Sequence, residues 1–501
     1  MLNQKTSPMK MSSINSMVQR SVFLLGLFFF GLNLNAQYID QLDISVSNAD
    51  KMFDIKNYQE AIRQFESLLK QEPSNFNYKL KLAKSYTYSQ INKRRGLELL
   101  QELNKSSEKT EEITKELVIA YFKNYEFDQA ISIFKELITN SNDETQKQAY
   151  ADWISQVERS KKMLADPVWV EFENLGKKVN SDAPDYLPVV EPDESTLLFT
   201  TRRSGVVGNL YDFGGYRTAD IYSVNHKRNS YSRAKSVGSP NTYGNEQTAG
   251  KSENGNYVIY NVNSEDHFND LFVSEKGRKS YMPAKVFDSE EVNQKKSNEM
   301  GGTLSNDGAT FYFCSDRPDG FGGFDIYVVK RLPNGNWSSP KNLGEPINTP
   351  DNEQYPNLMD QGKTLYFSSN GHPGMGDMDL FKSTLNTEDE TWSQPVNLGH
   401  PINTPDDDLT ISFAENQRYA YIAANREDGF GDLDIYRVTF LEEKDNYTLL
   451  NGRVITADSI QVTLEVEVEV YDLNDESLHG TYKLNKKTGK YSAILPAGKF
   501  R

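Results

Sequence analysis

A three-residue mark, Asp followed by Ile or Leu and then Tyr or Phe, recurs at Asp220, Asp270, Asp325, Asp379 and Asp434, at intervals of 50, 55, 54 and 55 residues. Each copy is preceded by a short apolar run: "LLFT" (197–200), "YVIY" (257–260), "FYFC" (311–314), "LYFS" (365–368) and "YAYIA" (419–423). These runs follow turn signals such as "NDG" or "QG" and read as strands joined by tight turns. A unit of this size cannot bury its apolar face alone, so the copies must pack on one another.

A second landmark says how the series closes. An aromatic residue five positions ahead of an Asn, or its equivalent, stands at Trp169, Tyr231, Tyr281, Trp337 and Trp392, as in "WSSPKNLG" and "WSQPVNLG". Four of these follow a marked strand, but Trp169 precedes the first one and the strand at Asp434 has none after it. A ring repairs the mismatch. The segment "DPVWVEFENLG" would supply the outer strand of the last unit, which also removes the sheet edges that a linear array leaves open. The expectation is an all-β propeller over 166–443 with five blades, six blades being the alternative.

Ahead of the propeller the apolar period becomes helical. In "NYQEAIRQFESLLKQEP", Tyr58, Ala61, Ile62, Phe65, Leu68 and Leu69 share one helix face and Pro73 ends it. Ala61, Gly96 and Ala130 are 35 and 34 residues apart, and Tyr86 and Tyr121 are 35 apart. Small residues at that period resemble tetratricopeptide repeats, in which paired helices approach closely. Residues 37–165 are therefore expected to hold three such units, the middle one degenerate, with "ETQKQAYADWISQVERSKKML" as a capping helix. An ordinary helical bundle is the alternative. Two independently folding bodies, joined near Leu164 to Asp166, follow from this reading.

The N-terminus has Lys5, Lys10 and Arg20, then the apolar run "VFLLGLFFFGL" (22–32), then "NLNAQ". That order predicts a secretory signal over 1–36, cleaved after Ala36, and the run is too short for a stable membrane anchor. The formal net charge of −16 argues against a nucleic-acid partner, since phosphate binding needs a basic surface. Cys314 is the only cysteine, so no disulfide framework exists, and its place in "TFYFC" predicts a buried, inert thiol.

The C-terminal segment, 448–501, alternates polar and apolar residues. Its pattern, Gly452, Val454, Val468, Val470, Asp472, Thr488, Gly489, Tyr491, Leu495, Pro496 and Gly498, resembles the start of a carboxypeptidase-regulatory or transthyretin-like β-sandwich, incomplete at Arg501. The propeller units, through "W-x-x-P-x-N-L-G-x-x-I-N-T" and "L-Y-F-S-S", resemble TolB-like repeats of bacterial envelope proteins. In this order the segments resemble the Bacteroidota OmpA-family envelope proteins, including those of type IX secretion and gliding. The resemblance implies a non-catalytic periplasmic scaffold associated with the outer membrane that links an outer-membrane secretion or gliding complex to the cell wall, with outer-membrane or secretion and gliding proteins as partners. It implies peptidoglycan binding only through an OmpA-like C-terminal domain, which these residues do not contain.

No G-x-S-x-G or H-E-x-x-H motif is present, and His226, His267, His372, His400 and His479 lack triad or metal-ligand spacing, so no catalysis and no organic cofactor is expected. Aligning the units places Asp185, Glu246, Glu299, Glu353 and Asp408 in register just before each innermost strand. Two readings stand for these five carboxylates: a ring at the channel mouth that holds a cation such as Ca²⁺ or a basic partner group, or five groups each hydrogen-bonded within its own blade. The acid-rich hairpins "SDRPDGFGGFD" and "NREDGFGDLD" (Asp316, Asp319, Asp325, Asp428, Asp432, Asp434) offer the same choice between Ca²⁺ and turn stabilisation. A glycan- or cation-binding propeller with no protein partner is the alternative function.

Overall fold

The computed structural model describes residues 43–441, except 90, 213–214, 229, 265, 279 and 427, together with 448–455, 466–473, 477–485, 489–495 and 499–501. The expected signal, 1–36, lies outside them, as do Thr488, Pro496 and Gly498. The chain divides into two compact units, one ending at Phe440 and the other spanning Leu441–Arg501.

Seven helices open the described part of the first unit: α1 (Val46–Asp54), α2 (Tyr58–Gln71), α3 (Phe76–Tyr88), α4 (Lys93–Asn104), α5 (Glu111–Lys123), α6 (Phe127–Asn140) and α7 (Glu144–Ala165). Ser45, Asn57, Asn75, Asn92, Thr110 and Asp143 cap six of them, each side chain accepting a first-turn N–H that has no helical partner. Consecutive helices pack on each other over a core that includes Ala61, Phe65, Leu82, Ala83, Leu97 and Leu100. The small residues do what their spacing predicts. A Cβ on Gly96 would fall 2.7 Å from Thr87 Oγ1 and 2.8 Å from Thr87 N, so only glycine lets α4 lie this close to α3. Among the described residues no helix is long and apolar enough to cross a membrane.

After α7 the chain forms a five-bladed propeller. The inner, second and third strands are 185–190, 196–201 and 220–227 in blade 1; 245–251, 257–263 and 270–275 in blade 2; 299–304, 310–315 and 325–330 in blade 3; and 353–359, 364–369 and 379–386 in blade 4. Blade 5 uses 412–413, 419–424 and 434–440, and its outer strand is Val170–Asn174, which pairs antiparallel with the third strand from Val170 opposite Phe440 to Asn174 opposite Tyr436. The ring is thus closed by the segment that leaves α7. The mark aspartate faces the second strand's last residue, or in blade 2 its next-to-last: Thr201–Asp220, Val262–Asp270, Ser315–Asp325, Ser369–Asp379 and Ala424–Asp434. The hydrophobic core lies between blades, as in the stacked Phe287, Phe311 and Phe313 rings of blades 2 and 3.

The second unit contains two antiparallel pairs, Thr448–Arg453 with Lys490–Leu495 and Glu467–Tyr471 with Leu478–Lys483. Val470, Ala493 and Leu495 are buried there, with Val468, Tyr482 and Phe500 against them.

Candidate functional site

Antiparallel pairing fixes which loops share a face of the propeller. Each inner strand starts, each second strand ends and each third strand starts on the same side, so the blade-to-blade loops and the mark hairpins lie together. The five aligned carboxylates stand on that face, and all five are buried.

Each carboxylate is engaged within its own blade. Asp185 accepts from Ser181 N and Oγ and pairs with Arg203 at 2.6 Å. Glu246 accepts from Thr242 N and Oγ1, Glu353 from Thr349 N and Oγ1 and from Ser369 Oγ, and Asp408 from Thr404 N and Oγ1. Glu299 Oε1 accepts from Ser297 and Ser315, and its Oε2 is buried without a partner among the described residues. The upstream Ser or Thr, four residues before Asp185, Glu246, Glu353 and Asp408 and two before Glu299, makes these groups latches for the loop that enters each inner strand. No group of three or more His, Cys, Asp or Glu side chains among the described residues is placed to hold a metal ion. Asp185, Glu246, Glu299, Glu353 and Asp408 thus each have hydrogen-bond donors in their own blade or in the loop that enters it.

Burial dominates their acidity. It pushes Glu246, Glu299 and Glu353 up to about 7 and Asp408 well above the usual range; the nearby Asp220, Asp325 and Asp379 push Glu246, Glu353 and Asp408 further in the same direction.

The acid-rich hairpins are also internally bonded. Asp325 accepts from Phe321 N, Asp379 from Met375 N, and Asp434 from Phe430 N, the donor in each case four residues upstream. Asp316 accepts from Asn298, and Asp428 from Tyr436 Oη. His226 stacks on Tyr231, His267 meets Asp270, His372 meets Ile347 O and His400 packs on Tyr125, each on a different element. Cys314 is buried, and burial raises its thiol to about 11.

The helical array sits on this same face, within the same compact unit. Met375, at the tip of the blade 4 hairpin, is buried among Phe122, Phe127, Phe134, Tyr150 and Val157. Ser160 Oγ and Gln156 Nε2 donate to the carbonyls of Met375 and Gly376, both at 2.9 Å. Lys123 lies 3.0 Å from Asp377 and 2.9 Å from Asp406, and Lys93 also pairs with Asp406. Burial disfavours the Lys123 charge, but the two aspartates outweigh it and raise its pKa; burial likewise opposes the Asp406 charge, and Lys123 and Lys93 outweigh it and lower that pKa. In blade 1 the loop between the second and third strands reaches the corner between α1 and α2, where Gly215 lies against Met52 and Asn57.

The array therefore covers loops of blades 4, 5 and 1. Blades 2 and 3 present exposed aromatics on the same face: Tyr243 at 71%, Phe268 at 40% and Phe321 at 56% exposure. Phe321 stands where Met375 stands, four residues before the mark aspartate. Lys93, Lys123 and Met375 escaped the sequence reading because a buried salt bridge between distant segments leaves no periodic signal, and Met375 occupies the same hairpin position as the exposed Phe321 and Phe430.

No protein-family model matches this sequence, and no curated protein matches it. Solved structures similar to it include a thermostable family-43 glycoside hydrolase, 13% identical over 53% of this chain and 93% of that chain with a TM-score of 0.35. NanB sialidase from Streptococcus pneumoniae is 12% identical over 53% of this chain and 57% of that chain, TM-score 0.30. A hypothetical protein from Leishmania major is 10% identical over 56% and 93%, TM-score 0.31. Likenesses this distant carry no functional inference.

Proposed function

We propose that this protein is a non-catalytic scaffold of the bacterial cell envelope, exported to the periplasm and associated with the outer membrane, where it joins a secretion or gliding complex to further envelope components. On this reading the helices are tetratricopeptide units, the C-terminal strands begin a β-sandwich, and the chain is a relative of the Bacteroidota OmpA-family proteins. The observation that carries the proposal is the division of one propeller face: a helical array occupies part of it by capturing the Met375 hairpin, and the equivalent Phe321 hairpin stands open beside it with Tyr243 and Phe268. Exposed aromatic side chains held on rigid hairpins are the kind of anchor that protein interfaces use. Fixed mutual placement of two binding surfaces is what a scaffold requires, and the buried Lys123–Asp377–Asp406 contact supplies it.

Affinity purification from envelope fractions tests the proposal. The full chain is expected to recover a defined envelope protein, and a Tyr243→Ser, Phe268→Ser, Phe321→Ser variant with an unchanged melting temperature is expected to lose it. Equal recovery by the variant, or binding of a wall glycan fragment with no envelope protein recovered, would overturn it.

A further inference from the structure

Five residues after the aligned carboxylate, at or next to the end of the inner strand, four blades carry an apolar residue: Val190, Leu304, Leu358 and Phe413, opposite Leu197, Phe311, Leu365 and Ala420. Blade 2 carries Lys251 there, opposite Val258. Lys251 is 2% exposed, and its ammonium reaches across the ring from blade 2 to donate to Phe413 O of blade 5 at 2.9 Å. Blades 2 and 5 are not neighbours in the ring, so this side chain crosses the propeller axis.

Three properties set the site apart from ordinary packing. No carboxylate of the described residues lies within 4.0 Å of the Lys251 ammonium, which has three N–H donors and gives one of them to Phe413 O. Beside it is a cavity of about 30 Å³, lined by residues of blades 1, 2, 4 and 5, among them Thr248, Lys251, Tyr355, Asn357 and Ser412. Tyr355 Oη and Asn357 Oδ1, which belong to lining residues, are buried without a hydrogen-bond partner among the described residues. A buried cation without a close counter-charge is costly, and so are its remaining N–H donors and the Tyr355 hydroxyl left open, while Asn357 Oδ1 is an acceptor that takes a donor and not an anion.

We infer that the axial cavity is a binding site for a small monovalent anion of chloride or formate size, held by the Lys251 ammonium. The volume admits roughly two water-sized groups, which excludes phosphate esters and sugars. The anion supplies the missing counter-charge at the axis and ties blade 2 to blade 5 across the ring. Burial lowers the Lys251 pKa to about 8, with Glu253 and Glu191 opposing the shift from further away, so the amine is largely charged at neutral pH and its charge is lost in alkaline solution. Anion binding therefore belongs to neutral and acidic conditions.

The test is thermal unfolding of the full chain at pH 7, with chloride replacing gluconate at constant ionic strength. The expected result is a saturable upward shift of a few degrees that is absent in Lys251→Met and absent at pH 10. A bromide-soaked crystal of the wild type gives a second readout that needs no variant, with an anomalous peak expected beside Lys251 Nζ. Identical chloride responses in wild type and Lys251→Met, or a cavity that holds only water in bromide, would overturn the inference.

Discussion

Asn180 and Ile435, 255 residues apart, are joined by two hydrogen bonds: Ile435 N donates to Asn180 Oδ1 at 2.8 Å, and Asn180 Nδ2 donates to Ile435 O at 3.1 Å. The same two-way bond links Asn241 to Ile221, Asn293 to Leu271, Asn348 to Ile326 and Asn403 to Leu380. The N-terminal segment thus does for blade 5 what the following segment does for every other blade. Asn174 repeats the pattern, donating to Asp434 as Asn342 does to Asp325 and Asn397 to Asp379.

Asn180→Ala is therefore expected to leave Ile435 N unpaired in a buried setting and Ile435 O with Leu175 N alone, at a cost of about 1–3 kcal/mol in chemical denaturation. Deleting 166–177, which removes the outer strand of blade 5, is expected to lower the melting temperature far more. An unchanged melting temperature in the deletion would refute closure by this strand.

The buried carboxyls give stability a definite pH dependence. A carboxyl whose folded-state pKa is raised contributes stability that is present below its unfolded value and is lost as pH rises through the folded one. For Glu246, Glu299 and Glu353 that window runs from the ordinary glutamate value of 4.5 to about 7. The protein is expected to melt higher at pH 5 than at pH 8. Asp406 acts in the opposite sense but below the ordinary aspartate value of 3.8, outside this window. Glu299→Gln keeps an acceptor for Ser297 and Ser315 and replaces the unpartnered oxygen, so it is expected to gain on the wild type by about 1–3 kcal/mol between pH 5 and pH 8.

Lys123 and Lys161 separate a buried ion pair from an exposed one. Lys123→Met leaves Asp377 and Asp406 short of their shared cation, and a loss of about 3–5 kcal/mol is expected with faster proteolysis between α7 and the propeller. Lys161→Met breaks the exposed contact with Asp128 and is expected to cost less than about 1 kcal/mol. Equal effects would mean that the array is not held by the buried contact.

Gly250 has φ +147, and a Cβ there would fall 2.0 Å from Gly302 O of blade 3. Gly250→Ala is expected to cost about 2 kcal/mol or more in denaturation, because backbone meets backbone and neither side gives way. Gly335→Ala, at φ +86 with nothing within 4 Å, carries only the backbone strain and is expected to cost less.

The ring was legible because its period is carried by residues that local physics makes obligatory: the mark aspartates that cap hairpins, the turn glycines and the alternating strand residues. Trp169, stranded ahead of the first unit, foretold the closing strand. The Asn clamps were visible in "INT" but their role was not, since a side chain bonding to a strand edge has no signature beyond its position. The aligned carboxylates were found correctly in register, whereas the direction of each side chain depended on Ser181, Thr242, Ser297, Thr349 and Thr404, whose hydroxyls take up their lone pairs. Lys251 carried a readable signal, a single charged residue where the other blades are apolar.

The scaffold account rests on Phe321 being an anchor for a partner, and a photo-reactive residue placed at 321 in cells tests this most directly. A control at Lys363, in the turn between the inner and second strands of blade 4, lies on the opposite face. The account predicts a covalent adduct with one envelope protein from position 321, none from 363, and loss of the adduct when Tyr243 and Phe268 are both changed to Ser. No adduct from 321, the same adduct from both positions, or an adduct only with a second copy of this chain would contradict it.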